Sequence, residues 1–160
     1  MIEILRRLFA RGEPVLAQAA VRDAAAIAGL HGASFHRGWS DGEIERMLSD
    51  RDVLAHRATS GRRLIGFILS RLIAGEAEIL SVAVASSRRG KGVARRLLDL
   101  HLRRLSGLGA RAVFLEVDED NVPARKLYRR AGFREVGRRD GYYQDSKARS
   151  TAALVLRRDL

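Results

Sequence analysis

Between Glu78 and Gly107 the chain switches hydrophobic period, and it does so across a basic turn carrying two glycines. Glu78–Val84 reads as a strand. Ser86-Ser87-Arg88-Arg89-Gly90-Lys91-Gly92 follows, and from Val93 the apolar positions Leu97, Leu98, Leu102 and Leu105 recur at helical spacing. Gly107 and Gly109 stop that helix. The apolar run AVFLEV, Ala112–Val117, then completes a strand–helix–strand unit. Two strands joined by a helical crossover lie parallel in one sheet, so this stretch commits the chain to an α/β fold.

The flanking segments read as further strands and helices of the same domain. Pro14–Ala19 is a short strand and Val21–Ser34 a helix with Ile27 and Leu30 on one face. Ser40 can N-cap the next helix, with Glu43 completing a capping box. Val53–Thr59 and Leu64–Ile73 are strands, and the runs on either side of Gly75 form a hairpin. Asn121–Ala131 is a short helix with Pro123 in its first turn and Gly132 at its end. Phe133–Gly137 and Ala152–Leu156 are closing strands. The expectation is a single α/β domain over residues 13–160, with a mixed, mostly antiparallel central sheet and helices on both faces. Residues 1–12 precede it as an arm or short helix.

At 160 residues the chain is one domain's worth. It has no cysteine, which excludes thiol catalysis and thiolate metal sites. No apolar run approaches the roughly 20 residues that span a bilayer, so the expectation is a cytoplasmic protein and no membrane partner. The formal net charge is +11. The arginines are scattered in doublets such as Arg62-Arg63 and Arg138-Arg139, with no basic tail. Solvated faces account for that pattern better than a dedicated nucleic-acid site does, so any nucleic-acid attraction is expected to be non-specific. The expected state is a monomer. The four histidines show no metal-ligand spacing; His101, on the apolar face of the long helix, reads as a core histidine.

Three features could carry chemistry. A strand, a glycine-bearing turn and a helix N-terminus form an anion site, because the first-turn N–H groups lack intrahelical partners and the helix dipole favours negative charge. The spacing rules out a Walker loop, since Gly92 follows Lys91 and no glycine lies five residues before Lys91; Arg95 stands where a dinucleotide fingerprint needs its third glycine. On residues alone the segment is either an anion cradle or a basic turn. Glu116 sits inside an apolar strand, where it is either an outward-facing residue or a functional carboxylate. Tyr128 lies on the apolar face of the short helix, as a core or a site residue.

Arg89-x-x-Gly92-x-Ala94 resembles the Q/R-x-x-G-x-G/A motif of the GNAT acetyltransferases, and Leu80–Val84 resembles the bulged strand that precedes it there. Asn121-x-Pro-Ala124-x-x-Leu127-Tyr128-x-x-Ala131-Gly132-Phe133 is similar to the helix signature of the same family. Trp39-Ser40, Leu115-Glu116-Val117 and Arg139-Asp140-Gly141-Tyr142-Tyr143 narrow the likeness to the bacterial ribosomal-protein alanine acetyltransferases of the RimI type. Asp140-Gly141 ahead of the tyrosine pair departs from that pattern.

The resemblance implies a GNAT fold and acetyl-CoA as acetyl donor. Cofactor contacts would come from Val82, Ala83, Val84, Arg89, Gly90, Lys91, Gly92, Val93, Ala94, Arg95 and Asn121. Glu116 would be general base and Tyr128 general acid. It further implies that the acceptor is a protein N-terminus, alanine on a small-subunit ribosomal protein; the alternative acceptor is a lysine side chain or a small-molecule amine. No metal is implied. Glu116, Asp118, Glu119 and Asp120 form an acidic patch that could receive a basic segment or simply be a solvated loop. Trp39 and Tyr142 are candidate walls of the acceptor groove.

Overall fold

The expected order of strands and helices holds in the computed structural model, which describes residues 13–144 and 150–160. The N-terminal arm, residues 1–12, lies outside the described residues. The elements are β1 (Val15–Gln18), a 3-10 turn at Val21–Asp23, α1 (Ala24–Ser34), α2 (Asp41–Ser49), β2 (Val53–Ser60), β3 (Arg63–Ile73), β4 (Glu76–Val84), α3 (Val93–Gly107), β5 (Ala112–Asp118), α4 (Val122–Arg130), β6 (Arg134–Gln144) and β7 (Ser150–Asp159). They build one seven-stranded sheet in the order β1-β2-β3-β4-β5-β7-β6. Every neighbouring pair is antiparallel except β4 and β5, which the α3 crossover makes parallel.

Local sequence sets the element ends. Ser40 Oγ accepts the Glu43 N–H at 3.2 Å and the Glu43 carboxylate accepts the Ser40 N–H at 2.8 Å, so the capping box starts α2 where its residues predict. The helix expected from Val21 begins at Ala24 instead. Asp23 is the cause: its carboxylate accepts the Ala20 N–H at 2.8 Å and pairs with Arg57 at 3.3 Å, which holds Val21–Asp23 in a tighter 3-10 turn. β6 and β7 run beyond the expected Phe133–Gly137 and Ala152–Leu156. Their register shifts at Glu135/Gly137 and Arg139/Tyr143 interrupt the alternation by which a strand is read.

Each face of the sheet has its own core. Ile27, Ala28 and Ile44 of α1 and α2 pack on Ala55, Phe67, Leu69 and Ala83. Leu97, Leu98, Leu102 and Leu105 of α3 cover Leu54, Ile68, Ala77, Ile79 and Val113 on the other face. Gly66 lets α3 approach closely: a Cβ there would lie 3.1 Å from Leu97 Cδ1 and 3.3 Å from Val93 Cγ1.

The α3 core contains one polar chain. His101 Nδ1 and His56 Nδ1 share a hydrogen bond of 2.7 Å, and His101 Nε2 and Ser70 Oγ share one of 2.6 Å. All three residues are buried. Both nitrogens of His101 are therefore satisfied within the protein while both rings stay neutral. Burial, reinforced by His56, pushes the His101 pKa down to about 3. Burial, then the charge of Arg104, lowers that of His56. A histidine whose folded pKa lies below its ordinary 6.5 binds protons more readily when unfolded, so stability falls as pH drops from about 6.5 toward the folded value.

Urea midpoints are accordingly expected to decline between pH 7.5 and pH 5. Replacing the whole chain with apolar residues (His56→Leu, Ser70→Ala, His101→Leu) flattens that decline with little change at pH 7.5, because no partner is left unsatisfied. An equally steep decline in the triple variant would assign the acid sensitivity elsewhere.

Candidate active site

The site originates in the way β4 and β5 part. They pair only over Glu76–Ile79 against Ala112–Leu115. On β4, Leu69 of β3 opposes Ser81 while the adjacent Ser70 opposes Ile79, so Leu80 is an extra residue in the ladder, a β-bulge. Beyond it β4 stays with β3 as far as Val84, and β5 stays with β7 as far as Asp118. The two parallel strands follow different partners and leave a gap between them. The C-terminal ends of parallel strands flanking such a gap are where α/β sheets bind ligands. Two adjoining clefts occupy this region, of about 530 and 510 Å³, and Val82, Ala124 and Tyr128 line both.

The first cleft lies between the β4–α3 turn and α4. It is lined by Val82, Ala83, Val84, Arg89, Gly90, Gly92, Val93, Ala94 and Arg95, nine of the eleven residues expected to hold the donor. Gly92 is the N-cap of α3, in the left-handed conformation with φ 81°, and among the described residues no side chain caps the helix. The first-turn N–H groups of α3 are thus left for a ligand. Ala85 donates its N–H to the Ile65 carbonyl of β3 at 2.8 Å. Backbone groups alternate along a strand, so Val82 and Val84 present theirs to the cleft while those of Ala83 fall to the β3 side. This is an open strand edge beside an anion cradle, and it suits a ligand with an amide-bearing arm and a pyrophosphate.

Two expected residues are placed differently. Lys91 Nζ donates to the Ser87 carbonyl at 3.2 Å, within its own turn. Asn121 lies at the second cleft, where its Oδ1 accepts the Ala124 N–H at 3.2 Å and caps α4. Arg89, although in the cleft, donates from Nε to the Val84 carbonyl at 3.0 Å and so braces the turn. The sequence reading omitted Lys126 and Arg130, which line the first cleft from α4. Their four-residue spacing in a helix with Pro123 in its first turn was the available signal.

The second cleft occupies the gap itself, between Ile79–Val82 and Leu115–Asp118, and is closed by α1 and the segment after it. Glu116 and Tyr128 both line it. Tyr128 is buried, its ring edge-on to Phe133 with centroids 5.6 Å apart. Glu116 is mostly covered and pairs with Arg139 at 3.2 Å. Trp39 lines the cleft as expected, whereas Tyr142 is exposed and lies outside the lining; the Tyr143 side chain is beyond what is described. His31 is a lining residue the sequence reading missed. Its Nδ1 accepts the Trp39 N–H at 3.1 Å and its ring stacks on Trp39 at 4.2 Å, fixing the wall. Burial holds the His31 pKa below the ordinary value, partly opposed by Glu43.

The acidic patch is largely committed. Glu119 accepts the Ala152 N–H at 3.0 Å and pairs with Arg138 at 2.8 Å, and both, the backbone N–H first, lower its pKa. That carboxylate ties β7 and β6 to the start of α4. Asp118 lines the second cleft. Among the described residues no group of His, Asp and Glu could hold a metal ion, and no helix is long and apolar enough to cross a membrane.

Residues 17–133 match the acetyltransferase (GNAT) family. The chain is 30% identical over 118 residues to the ribosomal protein bS18-alanine N-acetyltransferase of Haemophilus influenzae, covering 74% of this chain and 80% of that protein. Its fold is similar to the crystal structure of the ribosomal-protein-S18-alanine N-acetyltransferase from Escherichia coli, with a TM-score of 0.85 at 21% identity over 92% of this chain and 94% of that one. It is also similar to Arabidopsis thaliana NAA60 in complex with acetyl-CoA, with a TM-score of 0.82 at 20% identity over 92% and 99%.

Gly92→Ala is expected to weaken CoA binding about tenfold by calorimetry. A Cβ there meets nothing within 4 Å, so the loss comes from the left-handed backbone, at about 1–2 kcal/mol. Unchanged affinity would show that the cradle does not depend on this geometry.

Proposed function

The chain belongs to the GNAT acetyltransferase family, with acetyl-CoA as its donor, and on that premise we propose that it acetylates the N-terminal α-amine of a protein, an alanine on a small-subunit ribosomal protein. The observation that carries the chemistry is the position of Tyr128, shared by a cleft suited to the donor and a cleft lined by Glu116. The named acceptor is supported by the relative from Haemophilus influenzae, whose substrate is a ribosomal-protein alanine.

In this reading the amine attacks the thioester carbonyl directly. Its proton passes to the Glu116 carboxylate, the carbon–sulfur bond breaks, and the Tyr128 hydroxyl protonates the departing thiolate. No enzyme nucleophile is needed, in keeping with a chain that has no cysteine. Val82 and Val84 hold the donor's arm by backbone hydrogen bonds, as a neighbouring strand would, and the α3 N-terminus with Gly90 and Gly92 receives the pyrophosphate. Amine chemistry favours an N-terminus over lysine. At pH 7 an α-amine of pKa about 7.7–8.0 loses its proton at a cost of about 1 kcal/mol, and a lysine of about 10.4 at about 4.6 kcal/mol. One carboxylate meets the smaller demand more readily.

Glu116→Gln and Tyr128→Phe are each expected to lower kcat/KM by about a hundredfold or more, with donor affinity little altered. Wild-type values in both would remove the assigned roles. CoA release measured with an acceptor panel tests the substrate. Peptides with a free N-terminal alanine are expected to turn over, while N-blocked peptides carrying lysine, and polyamines, are not. The opposite pattern would leave the family and discard the acceptor.

A further inference from the structure

His31 is a buried titratable side chain at the second cleft to which the proposed reaction assigns no step. It stands on α1 and is 4% exposed. Its ring is held by Trp39, stacked at 4.2 Å, and by Phe35, tilted at 4.5 Å. Its Nδ1 accepts the Trp39 N–H at 3.1 Å. Burial keeps the ring neutral at pH 7. A neutral imidazole that accepts at Nδ1 carries its proton at Nε2. Among the described residues Nε2 has no hydrogen-bond partner, and it is not sealed from solvent. The space that His31 lines is the second cleft. The α1 wall of that cleft therefore holds an N–H donor of fixed tautomer and fixed ring plane, and the β5 wall holds the Glu116 carboxylate as an acceptor.

We propose that His31 Nε2–H donates to the carbonyl oxygen of the acceptor's first residue while the α-amine faces Glu116, so that His31 selects a peptide N-terminus over other amines. The proposal rests on reading the second cleft as the acceptor site. An N-terminal residue carries its amine and its first carbonyl on one Cα, so a donor and an acceptor on neighbouring walls can be met together. A lysine ε-amine stands at the end of a four-carbon stem, and a polyamine has no carbonyl. Either one, with its amine at Glu116, leaves the Nε2–H desolvated and unpaired. A buried donor left without its partner discriminates more strongly than a missing apolar contact does. Trp39 serves the same end, because its N–H on Nδ1 sets the tautomer.

Steady-state kinetics test this on the wild type, His31→Asn and His31→Gln. The acceptors are an alanine-first peptide and the same peptide with a thioamide in place of its first amide, the thiocarbonyl being the weaker hydrogen-bond acceptor. Asparagine puts an amide oxygen near the Nδ1 position, keeping the Trp39 contact and removing the Nε2 donor. Glutamine puts an amide N–H near Nε2. His31→Asn is expected to raise KM for the alanine-first peptide about fivefold to tenfold, with kcat and CoA affinity little altered, and His31→Gln to recover most of the loss. The thioamide is expected to raise KM about threefold in the wild type and not in His31→Asn. The reverse order of variants, with glutamine impaired and asparagine not, would overturn the proposal and leave His31 as a support for Trp39. So would an equal thioamide penalty in the wild type and His31→Asn. The absence of any penalty in the wild type would do the same with no variant needed. A wild type that binds CoA but does not turn over alanine-first peptides would remove the acceptor reading itself, and the proposal with it.

Discussion

The short pairing of β4 with β5 is the constraint on which the site depends. Four residues on each strand hydrogen-bond, and the Leu80 bulge then directs β4 away. A parted pair would leave unpaired backbone groups at a cost if they were buried. Here the freed edge of β4 at Val82 and Val84 borders the first cleft, and in the proposed reading it pairs with the donor's amides. The separation holds because each strand keeps a full antiparallel partner on its other side: β3 for β4, β7 for β5. The gap is therefore part of the sheet's architecture, and its two strand walls, Ile79–Val82 and Leu115–Asp118, stand on rigid elements.

Helix α3 links that gap to stability. Its leucines close one core, its N-terminus faces the first cleft, and its His101 joins His56 and Ser70 across the helix–sheet interface. A neutral histidine with both nitrogens bonded orients the helix more narrowly than leucine packing alone, and the cost is sensitivity to acid. Charge is arranged by the same economy. Arg89 and Lys91 secure their own turn, and Arg138 and Glu119 tie β6, β7 and α4 together.

Most of the fold was legible because its signals are local. The change of period at Val93, the Ser40–Glu43 box and the turn at Gly75 each depend on residues a few positions apart, and the structure carries all three. The meeting of Glu116 with Tyr128 at one cleft was legible through motif likeness, since neither residue alone excludes a core or surface role. What escaped depends on partners distant in sequence. Asp23 shortens α1 by reaching Arg57, Asn121 is held at the second cleft as a helix cap, and Glu119 is bound by Arg138 and Ala152 rather than offered to a substrate. The wall made by His31 and Trp39 requires a ring stacked across a loop, which no periodicity announces.

The two clefts meet at Tyr128, and in the proposed reaction an N-terminal amine and the donor thioester occupy them together. The most direct measurement is the affinity of a conjugate in which an acetyl unit joins CoA to the α-amine of an alanine-first peptide, compared with CoA and with the same peptide joined through a lysine side chain. Binding at least about a hundredfold tighter than CoA, with most of that gain lost in the lysine-linked form, is the expected result. Affinity no better than that of CoA for both conjugates would contradict a continuous site at Tyr128.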